Sequence, residues 1–305
     1  MIEETVTVTS SRARLEGTWV RPDGVARGMV LFIHGSGPLD RNENAKGAPL
    51  NAFNTIATAL AAKGIASIRY DKRGCGASTG TYLEAGQAEL TDDVCAWIAK
   101  ARTLSAAPIY LCGHSEGTAL AAMAAEREPV AGLILVCPYV TPGDDLLRWQ
   151  ASHAEAMVQS MPGLKGRIAR AVGRVVGTPL QMQQRLIDKA RASTTGTFRL
   201  MGQKVPARWL RDFLDADVRS LQLRQTLPTL LLVAAEDVQC PPADGAAIAA
   251  ANPNAELLVL DGLSHLLRRS EAPGFADYPR QLKTGMDSRV PEAVAGWLDR
   301  QLPPG

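Results

Sequence analysis

The chain has 305 residues, of which 46% are hydrophobic and 21% charged, with a formal net charge of +2. That size allows a large buried core, and so balanced a charge gives no global pull toward nucleic acid or an anionic membrane. No apolar run reaches the roughly 18–20 residues that span a bilayer, and the acidic, alternating residues 1–10 lack the layout of a signal peptide, so a cytoplasmic protein without stable membrane insertion is expected.

Two short alternating segments, residues 5–9 and 15–20, read as an antiparallel hairpin. The pattern then changes to near-continuous apolar runs, as in strands buried on both faces, alternating with segments of helical spacing. Strands are expected over 28–33, 65–70, 108–112 and 130–137. Helices are expected over 51–63, which ends at Gly64, a good C-cap, and over 88–102 and 117–127. Such alternation implies parallel crossovers and a doubly wound sheet. The rhythm stops at Pro138. Residues 141–225 show helical stretches and no convincing buried strand, and carry 14 basic against 7 acidic residues. It resumes with a strand over 227–234, a helix over 243–251, a strand over 256–260 and a closing helix over 291–302, with Pro291 in its first turn. The expected organisation is a core of residues 1–140 and 226–305, interrupted by a helical cap over 141–225. The positive charge of that cap reads as a solvated face; a preference for anionic substrates is the alternative.

Gly113-His-Ser-Glu-Gly117 matches G-x-S-x-G. It follows a short apolar strand and precedes a helix, the strand–turn–helix setting that gives this motif meaning. A residue in so tight a turn takes a strained conformation. The flanking glycines leave room for it, and the serine hydroxyl is lifted clear of the sheet. Ser115 is therefore the candidate nucleophile. The N–H of Glu116 opens a helix and faces a developing oxyanion.

Serine needs a neighbouring base. The chain has four histidines: His34 in a strand-end loop, His114 inside the tight turn, His153 in the cap and His265 after the last strand. His265 fits the chain order Ser…Asp…His. Asp237, after the strand over 227–234, fits the acid that would orient it. Glu236, Asp144 and Asp145 are weaker alternatives. His34-Gly-Ser-Gly-Pro38 forms a second glycine-rich strand-end loop, from which the N–H of Ser36 would complete an oxyanion hole. The five cysteines are odd in number and widely spaced, with no C-x-x-C pair, which argues against a disulfide framework or zinc site.

Together these residues resemble the α/β-hydrolase superfamily, in its serine aminopeptidase-like, acylglycerol lipase-like and esterase branch. The resemblance rests on His34-Gly-Ser-Gly-Pro-Leu-Asp-Arg41, Arg69-Tyr-Asp-Lys-Arg-Gly-Cys-Gly-Ala-Ser78, the G-x-S-x-G turn, Asp237 with Pro241, and Gly262 to His265. It spans everything except the cap. It implies structural roles for Asp71 and Arg73, and one departure from the family is Ala235, where glycine is common. The implied chemistry is acyl transfer to water without metal or organic cofactor, on a small-molecule ester first, an amide or peptide second and a thioester third. A ligand-binding protein without catalysis is the rival class. Trp149, Met157, Met161 and Trp209 are candidate pocket residues of the cap and, equally, candidates for its own core.

Overall fold

Strands β1 (Ile2–Ser10) and β2 (Ala13–Arg21) pair antiparallel across a two-residue turn at Ser11 and Arg12. Both turn residues have positive φ, which matches the twist of the strands they join. The computed structural model describes residues 1–272 and 274–303 of the chain. After the hairpin the chain alternates strand and helix: β3 (Gly28–Ile33), α1 (Ala52–Ala61), β4 (Ile65–Tyr70), α2 (Gln87–Leu104), β5 (Ile109–His114), α3 (Glu116–Ala125) and β6 (Gly132–Val136). It returns to the sheet with β9 (Thr229–Ala234), α9 (Ala243–Ala251), β10 (Ala255–Leu260) and, after the short α10 (Tyr278–Gln281), α11 (Arg289–Gln301). The eight strands lie in the order β1-β2-β4-β3-β5-β6-β9-β10. All pairings from β4 to β10 are parallel. This is the α/β-hydrolase fold the resemblance implied.

The central strands are buried along their whole length, and their side chains alternate between two cores, as the pleat requires. Val30, Phe32, Tyr110, Cys112, Ile134 and Leu232 face α1 and α11. Met29, Leu31, Ile33, Leu111, Leu133 and Leu231 face α2, α3 and α9. Trp297 of α11 is fully buried edge-on against Tyr110 of β5, with ring centroids 5.8 Å apart.

Between β6 and β9 lie α4 (Gly143–Ser160), α5 (Gly163–Val176), α6 (Pro179–Ala192), α7 (Ala207–Asp215) and α8 (Val218–Leu223). A hairpin of β7 (Thr197–Leu200) and β8 (Gln203–Pro206) interrupts them. Periodicity did not reveal these two strands, because four half-exposed residues apiece are too few to make an alternation. Among the described residues no helix is long and apolar enough to cross a membrane.

Two loop pairs implied to be structural are so. Asp71 accepts from the backbone N–H groups of Arg41 and Ala77 and pairs with the Arg41 guanidinium, which binds the loops after β3 and β4 together. The Arg73 guanidinium pairs with buried Asp93 of α2.

Trp297→Ala should lower the unfolding free energy by about 3–5 kcal/mol, the usual cost of removing a buried aromatic, measured by urea denaturation.

Candidate active site

The turn between β5 and α3 is forced by contacts too close for any side chain. A Cβ on Gly113 would stand 2.2 Å from the carbonyl oxygen of Gly117, and one on Gly117 would stand 2.1 Å from that of Ile33. Between them Ser115 sits at φ 54°, ψ −120°, a conformation that a non-glycine residue holds only under constraint. Its N–H donates to Val136 and its carbonyl accepts from Thr118, so β6 and α3 both restrain it. The loop after β3 packs directly on it: a Cβ on Gly35 would lie 3.3 Å from that of Ser115. Ser36 follows in that loop, exposed, while Glu116 is buried at the first turn of α3.

Asp237 and His265 come from the loops after β9 and β10. The Nδ1–H of His265 donates to Asp237 Oδ2 at 2.7 Å. Oδ1 accepts from the N–H groups of Gln239 and Cys240 at 2.7 and 2.8 Å. Burial raises the pKa of Asp237, but the His265 charge, its hydrogen bond and the two N–H groups outweigh this and hold it below the ordinary carboxylate value. Ser115 and His265 line one cavity of about 250 Å³, together with Ser36. In the resting arrangement the Ser115 hydroxyl contacts Cys240 Sγ at 3.9 Å and faces the Asp237 loop. Of the other acid candidates, Glu236 lines a separate cavity behind Asp237 and Asp144 pairs with Arg191.

The remaining histidines have other partners. His34 is packed between Phe53 and Tyr70 with neither ring nitrogen hydrogen-bonded. Burial and the nearby Lys72 charge bring its pKa down to about 4. His153 bonds to Trp149 within α4. His114 lies inside the tight turn and also ties it to two other loops. Its Nδ1–H donates to Glu43 at 2.8 Å and its Nε2–H to the backbone carbonyl of His265 at 3.1 Å. The same Glu43 oxygen accepts from the N–H of Gly35 at 3.0 Å. Burial lowers the His114 pKa and raises that of Glu43. Their mutual attraction and hydrogen bond reverse both effects, so His114 ends above and Glu43 below its ordinary value. This buried ion pair joins the Gly35 loop, the Ser115 turn and the His265 loop.

A second buried pair lies beneath. Lys72 Nζ donates to the carbonyl of Gly35 at 2.7 Å and stands 3.6 Å from the Glu116 carboxylate. That carboxylate also accepts from the indole N–H of Trp209 in α7. Trp209 forms the cavity wall with Leu147, Gln150 and Phe213 from the inserted segment, opposite Leu39, Leu50, Leu266 and Leu282 of the core. Trp149 and Met157 line the cavity behind Asp237 instead, and Met161 lines neither. The sequence signal for Glu43 and Lys72 was their place in glycine-bearing strand-end loops, but nothing in the chain order told which charges would meet.

Two sets of donors approach metal-ligand spacing, Asp237 with Cys240 and His265, and His114 with Cys137 and His265, each within 4.8 Å. Burial pushes both thiols well up, and the imidazole of His265 and the carboxylate of Asp237 are already hydrogen-bonded to each other.

The family model described as "Serine aminopeptidase, S33" matches residues 25–271. Esterase EstD of Thermotoga maritima is 27% identical over 275 residues, covering 88% of this chain; the chain spans 61% of that esterase's length. Est1E from Butyrivibrio proteoclasticus, solved with ferulic acid bound, superposes with a TM-score of 0.62 at 18% identity, over 97% of this chain and 98% of its own. Proline iminopeptidase from Mycobacterium smegmatis superposes at 0.63 with 16% identity, over 98% of each chain. At such identities the two structures speak for the fold alone.

The Glu43–His114 pair gives a pH-dependent expectation. The raised His114 pKa makes its contribution full below its ordinary value of 6.5 and lost as pH rises through the folded value. The lowered Glu43 pKa makes its contribution full above 4.5 and lost as pH falls through the folded value. Glu43→Gln should therefore cost about 3 kcal/mol at a pH between these two values and less at a pH above the folded His114 value, where the wild type has lost that charge as well. Urea melts at the two pH values check this, and an equal cost at both would mean that the pair is not ionised.

Proposed function

The chain belongs to the serine aminopeptidase S33 family of hydrolases, and from that premise we propose that it cleaves neutral carboxylic esters through an acyl-enzyme on Ser115. The observation that carries this reading is the buried Asp237–His265 hydrogen bond of 2.7 Å, opening on the same cavity as a conformationally strained serine.

In this mechanism the Ser115 hydroxyl turns about its Cα–Cβ bond from Cys240 toward the imidazole. Its oxygen attacks the ester carbonyl carbon while His265 Nε2 takes its proton. Asp237 keeps Nδ1 protonated and stabilises the imidazolium. The N–H groups of Ser36 and Glu116 receive the negative carbonyl oxygen of the tetrahedral intermediate. Collapse releases the alcohol, which takes the proton from His265. Water then gives its proton to the same nitrogen and attacks the acyl carbon, and collapse releases the acid as His265 returns the proton to the departing Ser115 Oγ.

The cavity lining supports a neutral ester. Its walls are largely aliphatic and aromatic, and no lysine or arginine is among them. Glu43 lines the cavity too, but its charge is balanced by His114. Residues 141–225 act as the cap in this reading, because Leu147, Gln150, Trp209 and Phe213 close one side of the cavity. Esterase EstD is the relative whose name agrees with this assignment.

Ser115→Ala should reduce hydrolysis of a p-nitrophenyl butyrate-type ester by at least about 10³-fold with an unchanged circular dichroism spectrum; a variant of undiminished activity removes the assignment. Esters carrying a carboxylate on the acyl chain should turn over more slowly than neutral ones of equal length. Faster turnover of the charged series would restore the anionic-substrate alternative.

A further inference from the structure

We propose that α5 is an interfacial helix that docks the protein on an anionic lipid surface, independently of the reaction assigned to Ser115. In most surface helices the apolar stripe faces the protein. Here it faces out. Leu164, Ile168, Val172 and Val175 recur on one face at helical spacing and are 70%, 54%, 53% and 87% exposed. The face turned toward α4 carries Gly166, Ala169 and Arg170 instead, all buried or half-buried. Arg170 fixes this orientation by donating to the carbonyls of Val158, Gln159 and Met161 at the end of α4.

Charge completes the pattern. At about 100° per residue, Lys165 falls on one flank of the stripe and Arg167 and Arg174 on the other, and all three are exposed. No acidic residue occurs in the helix. An aliphatic stripe edged on both sides by cations is the layout of a helix lying in the lipid headgroup region, with hydrocarbon contact along the stripe and anionic headgroups at the flanks. Fourteen residues make a helix of about 21 Å, enough to lie in the interface and too short to span it. The apolar surface continues beyond the helix: Val176 shares a groove with Met182, Leu200 and exposed Met201 at the tip of the β7–β8 hairpin, beside Arg185, Asp188 and Lys189. Pairing of α5 with α5 of a second copy is disfavoured, since a twofold contact would bring the cations of both helices together with no acidic residue of the helix to oppose them.

The test is flotation of the full chain with phosphatidylcholine vesicles containing about 30% phosphatidylglycerol, and with pure phosphatidylcholine, at about 0.1 M salt. The wild type should bind the anionic vesicles at least about tenfold better than the neutral ones. Ile168→Glu combined with Val172→Glu should weaken that binding at least about tenfold. Lys165→Gln, Arg167→Gln and Arg174→Gln should weaken it about fivefold each. Thermal melts should match the wild type, since these side chains project into solvent. The proposal is overturned if the wild type binds both vesicles equally or neither, or if both sets of variants float like the wild type. It is also overturned if the Glu variants convert a dimer to a monomer without changing flotation, which would assign the stripe to self-association.

Discussion

The arrangement depends on a backbone contact. The first turn of α3 lies so close to the end of β3 that Gly117 has no space for a Cβ against the Ile33 carbonyl, and Gly113 none against Gly117. That approach forces Ser115 into its strained conformation and brings the loop after β3 against it. The strain is sustained because the strands on either side are buried along their whole length and paired in register, so the turn has nowhere to relax. The relation of Ser115, Ser36 and Glu116 follows from this one approach.

Around it the protein places two buried charge pairs. Glu43–His114 links the Gly35 loop to the backbone of His265. Lys72–Glu116 links the carbonyl of Gly35 to the start of α3 and, through Trp209, to the inserted segment. Buried pairs of this kind add little net stability, because desolvation offsets most of the attraction, but breaking one is costly. Their effect is geometric. Five loops or helix ends from distant parts of the chain are held by groups that tolerate few other positions. The Glu116 carboxylate meets Lys72 of the core and Trp209 of the inserted segment at once.

The inserted segment has two characters. Its α4 and α7 meet the core through Leu147, Gln150, Trp209 and Phe213, while α5 turns aliphatic side chains to solvent between cations. A uniform reading of its positive charge as a solvated face misses this division. The charge count is the same whether cations are scattered or edge an apolar stripe, and only the direction of each side chain separates the two.

The sequence by itself determined the sheet, and it named Ser115, Asp237 and His265 as candidate site residues. Apolar runs of strand length, alternating with helical periods, leave one economical topology, and the G-x-S-x-G turn with Asp237 and His265 in chain order leaves few other candidates. These signals are legible because they are local: a period, a glycine, a strand end. Tertiary structure alone decided that His114 pairs with Glu43, that Trp209 and not Trp149 or Met157 walls the cavity with Ser115, and that α5 faces outward. Each of these turns on which side chains converge across 70 or more residues of chain or on which face of a helix is covered, and a period in the sequence fixes the stripe but not the direction in which it points.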